Sequence, residues 1–488
     1  MIKKTFYFFV ITFFLIINYS ASTVKTAFVE RGLFFLLFAS LFFLFRYLDL
    51  QRTFLILTSV LSPLIFTYGI VQKYILFPIY LDSMDSGISA VSAAMRERIL
   101  SGRIFSIFSL PTLYTFICAV LILAIFHYLI NSKKPGSVFF WSVLFLGGVF
   151  NLILTQSFAG VLYLLTGLPL YLVLSGRTRL KYLIPLLMTL SVFLFIIAGL
   201  RFSEAKKLEP VKLRISNWNQ SVRMIGESPL TGVGLGNYEF NVSRYIHSGE
   251  ANSIYAHNFF LQITAETGLI SMFPFLFILI LFRKKIIPRF SRENAVYLSI
   301  LAIVLLYNLI DIGFYFFSAA LIFSLVSAQI YKKPPAPVPR ITVLITLLLL
   351  IPQIIIFASD SIRRSGSFHL NFNRMRTAEG YFLKSLHYNK YNYMALMGLA
   401  KTAYASGNIA GAETSLDKVL HLNAMIPYAH FLKSRILYAK DMYLSSYFHA
   451  GKALSLNRGN GEYYKWYEFI RMNMTKNLKG PNTRGAAE

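Results

Sequence analysis

Residues 214–238 read RISNWNQSVRMIGESPLTGVGLGNY, and residues 256–268 read AHNFFLQITAETG. With the polar residues between them they form the only long polar interruption in a chain otherwise built of Leu, Ile and Phe runs. Outward from this segment, apolar runs of 17 to 25 residues recur from the N-terminus to about residue 358. Each is long enough to cross a hydrocarbon core of roughly 30 Å as a helix. The runs do not alternate with period two, and only helices or closed barrels satisfy their backbone in lipid, so the sequence predicts an all-α polytopic membrane protein.

Composition agrees. Of 488 residues, 56% are hydrophobic, 16% aromatic and 14% charged, with a mean hydropathy of +0.57, too apolar for a soluble globule of this size. The net charge is +27, from 48 basic and 21 acidic residues. On a soluble chain that excess would suggest a nucleic-acid partner; here topology accounts for much of it, and no nucleic acid is expected. One cysteine, Cys118, excludes an intrachain disulfide.

Residues 5–19 read as a signal peptide or a first span, and the spans that follow at once favour the span. Further spans are expected at 32–45, 53–72, 110–130, 137–156, 159–175, 182–200, 258–282, 295–311, 314–331 and 341–358, about eleven in all. With the N-terminus inside, the cytoplasmic ends carry Lys3, Lys4, Arg46, Arg52, Lys133, Lys134, Arg177, Arg283, Lys284, Lys285, Lys332 and Arg340, while the short outer connections carry almost none. This register places 201–257 and everything after 358 outside, which in a bacterium is the periplasm. Two outer segments are basic all the same: 73–103, and 201–223 with Arg201, Lys206, Lys207, Lys212, Arg214 and Arg223. Long loops translocate whatever their charge; the functional alternative is a surface for an anionic group such as a lipid-linked pyrophosphate.

After 358 the composition changes and a period of 34 appears: Ala378, Ala412 and Ser446 share one phase, Phe382, Leu416 and Ala450 another, Leu386, Leu420 and Leu454 a third, Tyr388, Leu422 and Leu456 a fourth. Residues 359–475 therefore resemble tetratricopeptide repeats, about two and a half of them, too few to stand alone and expected to pack on the membrane domain or on a protein partner. A tail, 476–488, is expected to be disordered.

Phosphate-loop, zinc-spaced and paired-acid motifs are missing. GVGLG at 232–236 lacks the third glycine of a dinucleotide fingerprint in register and has no βαβ unit around it. Gly234 and Gly236 read instead as a tight turn that lets backbone approach something closely. His257 stands at the start of an outer helix, where its ring can accept a proton near neutral pH. Glu266 would lie inside the membrane and need a partner, for which Arg and His are candidates. Taken singly, His257 reads as an interfacial anchor or cap, Arg214 as a solvated charge, and Trp218 as an interface anchor; their combination in one segment favours chemistry.

The spacings RxxxWxxSxxMIxxSPLxGVGxGNY and AHNxFLxxxxExGL resemble the signature of the O-antigen ligase and polymerase superfamily, membrane glycosyltransferases of GT-C type. Weaker echoes are GRIFSIF at 102–108, LTQSFAG at 154–160 and LID at 309–311, so the resemblance covers about 30–330. It implies transfer of a glycan from an undecaprenyl-pyrophosphate carrier, at the periplasmic face of the inner membrane, to an acceptor hydroxyl on lipid A core, glycan or protein, without metal or other cofactor. By position His257 would be the general base and Arg214 the pyrophosphate holder, with Arg103, Arg223, Gly234, Gly236, Asn258 and Glu266 lining the substrate site. Relatives often carry Arg where this chain has Phe158, for which Arg103 would substitute. The alternative class is a non-catalytic scaffold or a flippase-like transporter, which would show broken helices and charges near the bilayer midplane.

Overall fold

The computed structural model describes residues 15–85, 96, 99–177, 188, 192, 209–247, 253–269, 291–332 and 337–478. Most of the first apolar segment, nearly all of the span expected at 182–200, residues 201–208 and the tail from 479 lie outside them. Regular structure among the described residues is helical throughout: α1 Lys25–Phe45, α2 Gln51–Val71, α3 Phe77–Asp85, α4 Pro111–Asn131, α5 Pro135–Leu154, α6 Phe158–Leu174, α7 Glu209–Glu227, α8 Phe259–Thr267, α9 Ala295–Ile310, α10 Phe317–Ile330, α11 Arg340–Asn371, α12 Met375–Tyr388, α13 Tyr393–Ala405, α14 Ile409–Leu422, α15 Pro427–Ala439, α16 Tyr443–Leu456 and α17 Gly461–Leu478. A π turn at Gln72–Leu76 carries α2 into α3, and short turns of helix fill Tyr238–Asn241 and Val242–Tyr245.

Among the described residues, six stretches are long and apolar enough to cross a membrane: α1, α2 with α3, α4, α5, α9 and α11. Two shorter apolar helices, α6 and α10, pack with them. The chain is an all-α polytopic membrane protein. Eight of the expected spans coincide with these helices. Of the span expected at 258–282, the structure describes α8, which stops at Thr267 where Gly268 turns the chain at φ 73°; residues 270–282 lie outside the described residues. Leu269 N–H then donates to the Pro229 carbonyl at 2.8 Å. A Cβ at 268 would sit 2.0 Å from Leu230 O, so only glycine fits that turn.

The bundle is organised around α4, which is apolar on every side and buried on every side, from Leu113 through Val120 without a break. Its neighbours approach closely where side chains are small: a Cβ at Gly167 of α6 would lie 2.5 Å from Ile303 of α9. Lipid offers little hydrophobic gain for helix association, so close packing and interhelical hydrogen bonds hold the bundle. The Tyr114 hydroxyl donates to Asn151 Oδ1 at 2.7 Å between α4 and α5, and the Ser324 hydroxyl to the Phe38 carbonyl at 3.0 Å between α10 and α1. One end of the bundle is tied by basic groups, with Lys332 on Asp49, Arg177 on Asn131 and Arg46 on the Tyr331 carbonyl. The opposite end collects the polar segments that the sequence singled out.

The C-terminal region is three helix pairs. First helices begin at Met375, Ile409 and Tyr443 and second helices at Tyr393, Pro427 and Gly461, each 34 residues after the one before. The repeat extends to the backbone: Asn373, Gly407 and Asp441 all have positive φ, at 56°, 78° and 61°. The expected phases Ala378/Ala412/Ser446 and Phe382/Leu416/Ala450 are buried where helices cross, whereas Tyr388 is exposed. The boundary expected at 358 falls inside α11, which runs unbroken from the bundle into the repeats. There Ser359 bonds the Ser385 carbonyl at 3.0 Å, and Gly366 makes room for the Phe382 ring. α17 continues to Leu478, past the expected start of the tail at 476, and residues 479–488 lie outside the described residues. The repeats dock on the membrane domain through an edge-on contact of Phe240 with Tyr393, at 5.7 Å between centroids, and a hydrogen bond from Ser243 to the Leu456 carbonyl at 2.7 Å.

Between α15 and α16, His430 and His449 face each other, Nδ1 to Nδ1 at 2.9 Å, with His430 Nε2 on the Ala424 carbonyl at 3.0 Å. That carbonyl only accepts, so His430 carries its proton on Nε2 and accepts from His449 at Nδ1. Burial lowers both rings, His430 to about 4, with His449 and Lys452 acting in the same direction. An unfolded imidazole titrates near 6.5. The pair therefore supports folding fully above that value and progressively less as pH falls toward 4. Thermal unfolding of the full chain is expected to drop by on the order of 5 °C between pH 7.5 and pH 5, with much of the drop absent in His430→Gln.

Candidate functional site

The chain enters α8 through His257, whose φ of 51° lies in the left-handed region that a non-glycine residue occupies at a cost of about 1–3 kcal/mol. The entry is fixed on both sides. Asn258 caps the helix by accepting from Leu261 N–H at 3.1 Å and donates from its amide to the Leu309 carbonyl at 3.1 Å, while Phe259 N–H donates to the Asp311 carbonyl at 3.1 Å. These bonds dock the start of α8 against the end of α9. They bring His257 Nδ1 to 3.0 Å from Asp311 Oδ1, the imidazole about a third exposed and the carboxylate at 1%. Burial alone would raise the Asp311 carboxyl, but its hydrogen bond and charge pairing with His257, with the Ile312 N–H, hold it below the ordinary carboxylate range. An ionised carboxylate only accepts, so Nδ1 carries a proton, and in the neutral ring the lone pair is then on Nε2.

Arg214 lies on α7, which packs against α8 over a small core of Met224, Val233, Tyr238, Val242, Tyr245, Ala256 and Ala265. Arg214, Asn217, Trp218 and Ser221 stand on one stripe of that helix, at helical spacings of three and four. Arg214 Nε, Asn217 Oδ1 and Trp218 Nε1 are buried without a protein partner among the described residues. A buried polar atom left unpaired costs about 1–3 kcal/mol. The Tyr163 phenol of α6 lies within electrostatic reach of both Arg214 and Asp311. The structure thus gathers His257, Asp311 and Arg214 at one end of the bundle.

The other expected site residues have different surroundings. Gly234 lies against Ser22, and Gly236 against Ala27 and Arg31, so the close backbone approach that the glycines permit is to the chain itself. Glu266, 1% exposed, accepts from Gly236 N–H at 2.6 Å, from Gln262 at 3.3 Å and from the Tyr315 hydroxyl. Its partners are thus a backbone amide, a phenol and a carboxamide, with the Arg31 charge nearby, rather than His257. Asn237 completes the clasp: it accepts from Thr23 at 2.9 Å and Val24 N–H at 2.7 Å and donates to the carbonyls of Val24 and Leu235. Arg223 faces the Tyr245 carbonyl at 3.0 Å. Arg103 donates to the Thr155 carbonyl at 3.0 Å, inside the TQSF turn where Phe158 is 43% exposed, so its guanidinium is anchored beside the position it was expected to replace.

Sequence reasoning missed Asp311 as a partner of His257. Its signal was the LID echo at 309–311 and its place at the end of the span expected at 295–311, but 54 residues of chain separate the two. Among the described residues no three His, Cys, Asp or Glu side chains gather in a way that would hold a metal.

The family model described as O-Antigen ligase matches residues 141–278, from α5 to just beyond α8. The matched segment contains Phe158, Arg214, Arg223, His257 and Glu266; Arg103 and Asp311 lie outside it. No curated protein matches the chain.

Scaffold and chemistry separate in a simple comparison. Asn237→Ala strands several buried polar groups and is expected to destabilise the protein by about 2 kcal/mol, read as a lower unfolding temperature in detergent. His257→Gln, which keeps a donor for the buried Asp311 carboxylate, is expected to leave that temperature nearly unchanged.

Proposed function

We propose, from the O-antigen ligase domain that residues 141–278 carry, that the protein transfers a glycan from an undecaprenyl-pyrophosphate carrier to an acceptor hydroxyl at the periplasmic face of the inner membrane. The observation that carries this reading is the His257–Asp311 pair with Arg214 in reach of the same phenol. His257 Nε2 takes the proton of the acceptor hydroxyl as its oxygen attacks the anomeric carbon. The bond from that carbon to the phosphate oxygen breaks, and the carrier leaves as its pyrophosphate anion. Asp311 holds the imidazole in the accepting tautomer and stabilises the imidazolium that forms, the division of labour of a hydrolase triad. Arg214 meets the charge that develops on the leaving pyrophosphate, where a guanidinium fork suits paired phosphate oxygens. Arg103, anchored at Thr155, supplies a second cation in place of the one that Phe158 lacks. Gly234, Gly236, Asn237 and Glu266 serve by holding the two catalytic helices in register. The three helix pairs, read as tetratricopeptide-like repeats, lie outside the membrane on the same face and position the acceptor.

Alanine at His257 is expected to cut transfer from purified carrier-linked glycan to a small residual rate while the protein stays folded in the membrane; undiminished transfer would favour a scaffold. Asp311→Asn keeps the shape and offers the wrong hydrogen-bond partner, so kcat is expected to fall by about 10²–10⁴-fold. Arg214→Lys keeps the charge without the fork, and KM for the carrier-linked donor is expected to rise while kcat falls.

A further inference from the structure

The last helix pair carries a second concavity that the transfer reaction does not use. Between α16 and α17 lies an open cavity of about 440 Å³ lined by Gly451, Leu454, Ser455, Arg458, Tyr464 and Tyr467, within the range of about 300–1,000 Å³ common to small-ligand sites. Its aromatic wall is pre-set. Tyr467 stacks on Tyr447 at 4.9 Å between centroids and 26° between planes, and the two hydroxyls are hydrogen-bonded. Tyr464, one helical turn earlier, leaves its ring 56% exposed. Opposite stands Gly451, which adds no side chain over the Tyr467 ring edge; a Cβ there would sit in ordinary contact with it at 3.4 Å. Arg458 at the rim is exposed and adds donors, and the Ser455 hydroxyl, which donates to the Lys452 carbonyl at 2.9 Å, adds an acceptor.

The same wall is joined to the candidate site. Two residues before Arg458, the Leu456 carbonyl accepts from Ser243, and Ser243 belongs to the turn Val242–Tyr245 whose Tyr245 carbonyl faces Arg223 of α7.

We propose that this groove is a glycan subsite that holds sugars of the transferred or accepting chain away from the reacting end. A pyranose presents an apolar C–H face and a rim of hydroxyls, which calls for flat, fixed aromatic rings with hydrogen-bonding groups at their edges. An extended peptide would instead need an open sheet edge or an apolar groove with regularly spaced anchors. The subsite rests on the transfer reading of the previous subsection, and the two can fail separately.

The test uses the full chain in detergent and soluble oligosaccharides of two to eight sugars cut from the source cell's surface polysaccharide, followed by tyrosine and tryptophan fluorescence. Wild type and His257→Ala are expected to bind alike, and Tyr464→Ala and Arg458→Ala, both at exposed positions, to bind at least tenfold more weakly. In transfer assays the same two variants are expected to raise KM about tenfold for long chains, with kcat and short-chain KM unchanged. Varying donor and acceptor length separately identifies which chain occupies the groove. Normal binding by both groove variants, or binding of peptides without oligosaccharides, overturns the subsite. Loss of binding in the groove variants combined with full transfer by His257→Ala would leave the subsite standing and remove the transfer assignment.

Discussion

A carboxylate sunk to 1% exposure at the mouth of an apolar helix bundle is expensive unless a donor meets it. In this protein the donor is His257, delivered from a different part of the chain by a residue held at positive φ and a helix start clamped to Leu309 and Asp311. The bond therefore does two things. It lets Asp311 stay ionised where it is, and it fixes which imidazole nitrogen faces outward.

That delivery depends on a scaffold of paired polar groups beneath it. Asn18 bonds the backbone at Thr231, Leu235 and Glu266; Asn237 bonds Thr23 and Val24; Glu266 bonds Gly236. Each satisfies groups that would otherwise be stranded away from water. Together they wrap the glycine turn around the start of α1 and set α7 against α8. The repeats then pack on the outer side of this unit through Phe240 and Ser243, so a solenoid of only three pairs is stabilised by the membrane domain as well as by its own stacking.

The helices were legible because long apolar runs admit one structure in lipid, and the repeat was legible because crossing points demand small residues at a fixed interval. Ala378, Ala412 and Ser446 were found this way, and all are buried. The end of α8 was not, since the apolar run continues past Gly268 and hydropathy does not register a left-handed turn. His257 and Arg214 stood out by residue type in a polar segment, but Asp311 did not, because a pairing across 54 residues has no local signature. Gly234, Gly236, Asn258 and Glu266 carried the same motif signal as His257 and Arg214. Only coordinates distinguish a residue that holds the site together from one that faces into it.

The central claim is that Asp311 acts through His257, and a double-mutant cycle on the transfer rate tests it most directly. If the pair works as a unit, His257→Ala combined with Asp311→Asn is no slower than His257→Ala alone, and the two losses are strongly non-additive. Losses that multiply would show two independent contributions and contradict the account.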